Sequence, residues 1–212
     1  MATYESVIKI TGAVGDLVFY NLNGKNVVRK KSGFNKTAFK KSPSYEKVRQ
    51  NSSEFGHCSK IGKVIRKSLE IYIKESGDPL LYQKFAKVMT AIKDLDTISE
   101  RGKRTVELGL KTEEGRKLLR EFQMGAINKV SDCIRIQDQV LYKNDECTSD
   151  QAVVITIKLD SENYKTESAE EIITWDKKQE SSFKKYFSED GLLLYFVVLK
   201  NEKNEITHMG FV

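Results

Sequence analysis

Two hydrophobic periodicities follow one another along this chain, and that succession constrains its fold more than any other feature. Up to about residue 125, apolar residues recur at intervals of three and four, the spacing of one helix face. From about residue 126 they come in short β-rich runs instead: Ala152 to Leu159, Ile172 to Trp175, Leu192 to Leu199 and Ile206 to Val212, with polar turn segments between. The succession predicts an α+β fold. An N-terminal β-hairpin and helical hairpin occupy residues 1–125, and a small antiparallel β-sandwich-like domain occupies residues 126–212.

The hairpin is predicted from Ser6–Thr11 and Gly15–Tyr20, a turn at Asn21–Gly24 and a return over Asn26–Lys30. Gly12 and Gly15 within that pattern suggest a bulge or a close backbone approach. Residues 31–43 are basic and aperiodic and read as a linker. Ser42-Pro43 then pairs a capping residue with a proline at the first helical position, which starts a helix running to about Glu75. On its wheel Val48, Phe55, Cys58, Ile65, Leu69 and Tyr72 share one side, and Arg49, Lys60, Lys63, Lys67 and Lys74 share the opposite one. Asp78-Pro79 repeats the start signal for a second helix, with Leu81, Phe85, Val88, Met89, Ile92 and Leu95 on its apolar face. Thr112 begins a third, carrying Leu118, Leu119 and Phe122. The first helix is expected to receive the second along the Ile65–Leu69 seam. Gly56 and Gly62 are expected to let another backbone come close.

The chain offers little for catalysis, with two His, three Cys and one Trp. Gly56 to Lys63 has five residues between its glycines and Val64 after the lysine, which does not fit a phosphate-binding loop, and it lies inside a helix. Gly12-x-x-Gly15 sits among strand residues, unlike the helix-joining loop of a KH module. His57 and Cys58 point about 100° apart on a helix and cannot chelate one metal from one face, so they read as a surface histidine and a structural thiol. No Gly-x-Ser-x-Gly occurs, and Glu113-Glu114 and Glu170-Glu171 fall in capping or turn contexts. The reading is a non-enzymatic protein without a catalytic residue, metal or cofactor. The three cysteines lack CxxC spacing and predict reduced thiols. No secretory signal is visible, and the longest apolar run, Leu192 to Leu199, is too short to cross a membrane. A soluble protein of the cytoplasm, or of a virion if phage-derived, is expected.

The one surface with a sharp physical meaning is basic. Residues 1–75 hold 15 of the 36 basic residues and only 6 of the 30 acidic ones. Arg29, Lys30, Lys31, Arg49, Lys60, Lys63, Lys67 and Lys74 are the candidate residues for binding a partner or phosphates. Lys36, Lys40 and Lys41 add to the charge, and Phe34 and Phe39 are the candidates for stacking on bases.

These residues also carry a resemblance. Gly12-x-x-Gly15, Phe19-Tyr20, Gly24-Lys25, Val28-Arg29-x-Lys31-x-Gly33, Arg49-x-Asn51-x-x-Glu54-Phe55-Gly56 and Gly62-Lys63-x-x-Arg66 form its first part. Arg101-Gly102-x-Arg104-x-Val106-x-x-Gly109, Leu118-Leu119-x-x-Phe122, Asp160 and Trp175-Asp176 continue it. The chain resembles an uncharacterised protein family widespread in Bacteroidota. The resemblance implies a conserved N-terminal module followed by a β-domain, and it brings no activity with it. Two functions follow as expectations. The first is a structural or assembly protein acting through homo-oligomerisation or partner binding of the N-terminal module, with exposed strand edges at both ends of the chain. The alternative is nucleic-acid binding by the basic face of residues 29–74.

Overall fold

The computed structural model describes residues 2–6, 9–31, 33, 36–144, 147, 149–175, 179–188 and 191–212. The chain divides into two compact units, residues 1–46 and 47–212.

The first unit is a four-stranded antiparallel sheet. Its strands are β1 (Ala2–Thr3), β2 (Gly12–Val14), β3 (Leu17–Leu22) and β4 (Lys25–Lys30), in the order β1-β4-β3-β2. The central hairpin closes at Asn23-Gly24, where φ is 50° and 81° and the Gly24 N–H donates to Asn21 Oδ1 at 3.0 Å. This is the left-handed two-residue turn whose twist suits flanking strands, and it falls inside the predicted Asn21–Gly24. Gly15 does not form a bulge. It has φ 54° and opens the two-residue loop between β2 and β3, and neither it nor Gly12 has another atom within 4 Å of where a Cβ would stand. The strand predicted over Ser6–Thr11 gives way to Gly12–Val14, and Val7 and Ile8 lie outside the described residues. Within the predicted linker, Lys36–Lys41 form α1, and a 3-10 turn follows at Pro43–Tyr45 with Ser42 extended at its N-cap.

In the second unit, α2 (Glu46–Ser68) and α3 (Glu70–Glu75) replace the single predicted helix. The interruption at Leu69, φ −114°, follows Ser68, whose hydroxyl lies 3.5 Å from the Val64 carbonyl one turn back, a contact that bends helices. The buried stripe also differs from the predicted one. Glu54, Cys58, Ile61, Gly62 and Ile65 are buried, whereas Val48 and Phe55 are 51% and 59% exposed. α4 (Leu81–Asp94) buries Leu81, Phe85, Met89 and Ile92 as its pattern predicts. Two short helices follow, α5 (Val106–Leu110) and α6 (Glu113–Arg120). Thr105 and Thr112 cap them by accepting from the N–H groups of Leu108 and Gly115.

Among the described residues, seven strands complete the unit. β5 (Ile134–Gln137), β6 (Val140–Lys143) and β9 (Glu180–Ser182) make a small sheet. β7 (Gln151–Asp160), β8 (Lys165–Thr174), β10 (Leu192–Lys200) and β11 (Ile206–Phe211) make the main one, in the order β11-β10-β7-β8. The main sheet is apolar on both faces. Val153, Ile155, Ile157, Phe196, Val198 and Phe211 join the core of the helices. Ala152, Val154, Val197 and Leu199 join a second core with Leu141 and Phe183 of the small-sheet side. The fold is α+β with a sheet-rich C-terminal part. The boundary expected at residue 125 falls inside this unit, because a sheet apolar on both faces needs cover on both sides and the helices supply one of them.

Candidate functional site

The predicted cations divide between the two units. Arg29, Lys30 and Lys31 are exposed at the end of β4 in the first. In the second, Arg49 is half-buried and Lys60, Lys63, Lys67 and Lys74 are exposed along α2 and α3. Lys60 lies over the Tyr164 ring, 4.6 Å from its centroid, and Lys74 pairs with Glu70 at 2.9 Å. Lys63 and Lys67 form no ion pair among the described residues.

Lys63, Arg66, Lys67 and Lys74 converge on a cleft of about 350 Å3 between α2–α3 and the start of α4. Helical spacing of three and four puts the first three on one stripe. The turn after α3 brings Pro79, Leu81 and Tyr82 to the opposite wall. Arg66 was missed as a site residue. Its guanidinium lies 5.7 Å from the Phe85 ring centroid, and Nη1 is buried without a hydrogen-bond partner. Burial pushes its pKa down, yet a guanidinium stays charged at neutral pH. The two carboxylates at the cleft are engaged, Glu70 with Lys74 and Asp78 with Lys84 at 2.6 Å. The cleft therefore presents uncompensated positive charge. Tyr82, also missed, is 54% exposed at its edge. Of the predicted stacking residues, Phe34 lies outside the described residues and Phe39 packs edge-on against Tyr45.

A larger cleft of about 940 Å3 lies at the small sheet, but the cations on it are occupied. Arg135 sits over the Tyr142 ring at 4.9 Å, and Lys143 donates to the Ser149 carbonyl at 2.6 Å. Among the described residues no three His, Cys, Asp or Glu side chains gather to hold a metal, and no helix is long and apolar enough to cross a membrane. Cys58, Cys133 and Cys147 are buried thiols outside any disulfide. The Cys58 thiol is pushed up to about 11, chiefly by burial.

His57 is not a surface histidine. It is half-buried, and its Nε2 accepts the Val106 N–H at 3.1 Å while Nδ1 faces the Tyr164 hydroxyl at 3.4 Å. Burial lowers its pKa, in keeping with the neutral ring that an accepting Nε2 requires. Beside it, two spaced runs of the sequence, Arg49 to Gly56 and Arg101 to Gly109, meet. Arg101 donates to Asn51 Oδ1, and the Gly102 N–H and the Arg104 guanidinium both donate to Glu54. Those spaced residues thus have a structural use, which is to fasten the 96–105 loop to α2. No protein-family model, curated protein or solved structure matches the chain.

Proposed function

We propose that this is a non-enzymatic assembly protein whose N-terminal sheet is completed by another protein surface, most simply a second copy of itself. One observation carries the reading. Among the described residues of that unit, Val27 is the single buried hydrophobic side chain, while Val14, Leu17 and Leu22 are 62%, 42% and 50% exposed. A small open sheet without a core of its own is marginal in water, and an apolar surface of this kind is what a partner covers. The outer edges of β1 and β2 are unpaired within the sheet and add backbone donors and acceptors. The expected C-terminal edge does not contribute in the same way. β11 is met by Asn128, which bridges His208 and accepts the Met209 N–H at 3.0 Å. Light scattering at two concentrations tests the reading: the mass should exceed the 24.3 kDa monomer and rise with concentration. Val14→Lys with Leu17→Lys should return it to monomer. A strict monomer at both concentrations overturns it.

The uncovered cations Lys63 and Lys67 favour a second reading, nucleic-acid binding through the cleft face of the second unit. Had assembly used these cations internally, they would meet acidic side chains of the β part. Filter binding should show retention that falls steeply between low and high salt, and retention without a salt slope removes the reading.

A further inference from the structure

We infer that the cleft between α2–α3 and α4 takes one unpaired nucleotide of a single-stranded nucleic acid, its base against Tyr82 and its phosphate on Lys63, Arg66 and Lys67. The inference rests on the nucleic-acid reading and names the strand class for it. Phosphate chemistry alone would need only a flat row of cations, as a duplex backbone does. Here the cations rim a cavity with apolar and aromatic walls, Ile73, Pro79 and Tyr82, and a volume of about 350 Å3. That is the low end of the range for small-ligand pockets, enough for a single base. A duplex keeps its bases stacked inside and can reach only the rim, whereas a single strand can turn a base into the cavity.

Charge decides the polarity of the ligand. With Glu70 paired to Lys74 and Asp78 to Lys84, an incoming phosphate meets Lys63 and Lys67, which are in no ion pair among the described residues. Arg66 adds a half-buried guanidinium at the cleft wall, held over the Phe85 ring with its Nη1 turned inward beside Gly62. The Tyr82 hydroxyl is held by Gln83 Nε2 at 2.7 Å, which restrains the ring that would stack. An exposed aromatic ring beside backbone-tracking cations is the usual composition of single-strand sites.

The test is fluorescence anisotropy with labelled dT12, the matching 12-base-pair duplex and free AMP as competitor, at about 50 and 200 mM salt. dT12 should bind tighter than the duplex. Tyr82→Ala should weaken dT12 about tenfold, the size of one lost stacking contact, and leave duplex binding unchanged. Lys63→Glu with Lys67→Glu should weaken both ligands and flatten the salt slope by about two phosphates. All three side chains are exposed, so melting curves should match the parent. Equal affinity for strand and duplex, insensitive to Tyr82→Ala, overturns this inference and spares the nucleic-acid reading. No binding at either salt overturns both. AMP competing as well as dT12 overturns the strand assignment in favour of a free nucleotide.

Discussion

Glu54 is a carboxylate at 2% exposure, and it survives there because every approach to it is a donor. Arg104 grips both oxygens, Nε at 2.9 Å and Nη2 at 2.7 Å, Lys93 Nζ lies at 2.8 Å and the Gly102 N–H at 2.6 Å. The Arg104 fork, then Lys93 and Gly102, hold its pKa well below the usual carboxylate range against the opposing effect of burial. Removing one partner of a buried ion pair strands the others, so Glu54→Gln should cost about 3–5 kcal/mol in denaturant melts at pH 7. The sign of the pH dependence follows from the lowered folded pKa. The stabilisation is full above the unfolded carboxylate's pKa of about 4.3 and fades as pH falls below it, so the gap between parent and variant should narrow only in acid. A gap unchanged down to about pH 2 would show that the charge is not what matters.

At the scale of elements, glycines set how close the helices come. A Cβ on Gly109 would stand 2.0 Å from the Ile92 carbonyl oxygen, and one on Gly115 2.0 Å from the Gly109 carbonyl oxygen, so α4, α5 and α6 meet backbone to backbone. Gly62 meets α4 less severely, 3.3 Å from Met89 Cγ, and Gly56 meets nothing within 4 Å. The two glycines that read alike in sequence therefore part company. Gly109→Ala should cost more than about 3 kcal/mol, because a carbonyl group cannot yield as a side-chain tip can. Gly56→Ala, in a helix with open space around it, should instead stabilise by about 0.5–1 kcal/mol. Thermal melts of the pair check this, and destabilisation by both would mean that α2 has a neighbour at Gly56.

For the whole molecule, the decisive contrast is between the inner and outer sides of α2–α3. Leu69 is 1% exposed in the core that helices and main sheet share, whereas Lys63 points to solvent. Leu69→Ala should cost about 2–5 kcal/mol. Lys63→Glu should leave the melting curve within about 0.5 kcal/mol of the parent. Comparable losses from both would invert the face assignment and deprive the nucleic-acid reading of its surface. The central sheet divides stability into two cores, one under the helices and one under the small sheet. Among its described residues the first unit buries one hydrophobic side chain, Val27, which is the physical ground for expecting its stability to depend on a partner.

Local events were legible in the sequence: the Asn23-Gly24 turn, the Thr112 cap, the amphipathic pattern of α4 and the apolar run of β10. Each depends on near neighbours in the chain and on backbone preferences that no distant contact needs to supply. The sequence also displayed Lys63 and Lys67, whose exposure follows from being opposite the buried stripe. What it could not show was which edge of that stripe turned inward. Val48 and Phe55 were the more apolar choice, yet Glu54 took the buried position because Arg104, 50 residues further on, was there to pair with it. The return of α4 onto α2 was legible in the Asp78-Pro79 start signal and the two apolar seams, but not that it would carry Tyr82 to the wall of the basic cleft. The domain boundary moved because the main sheet needed two covers and the helices were one of them. Such choices belong to the tertiary structure alone, since the energies that decide them arise only when distant segments share a desolvated space.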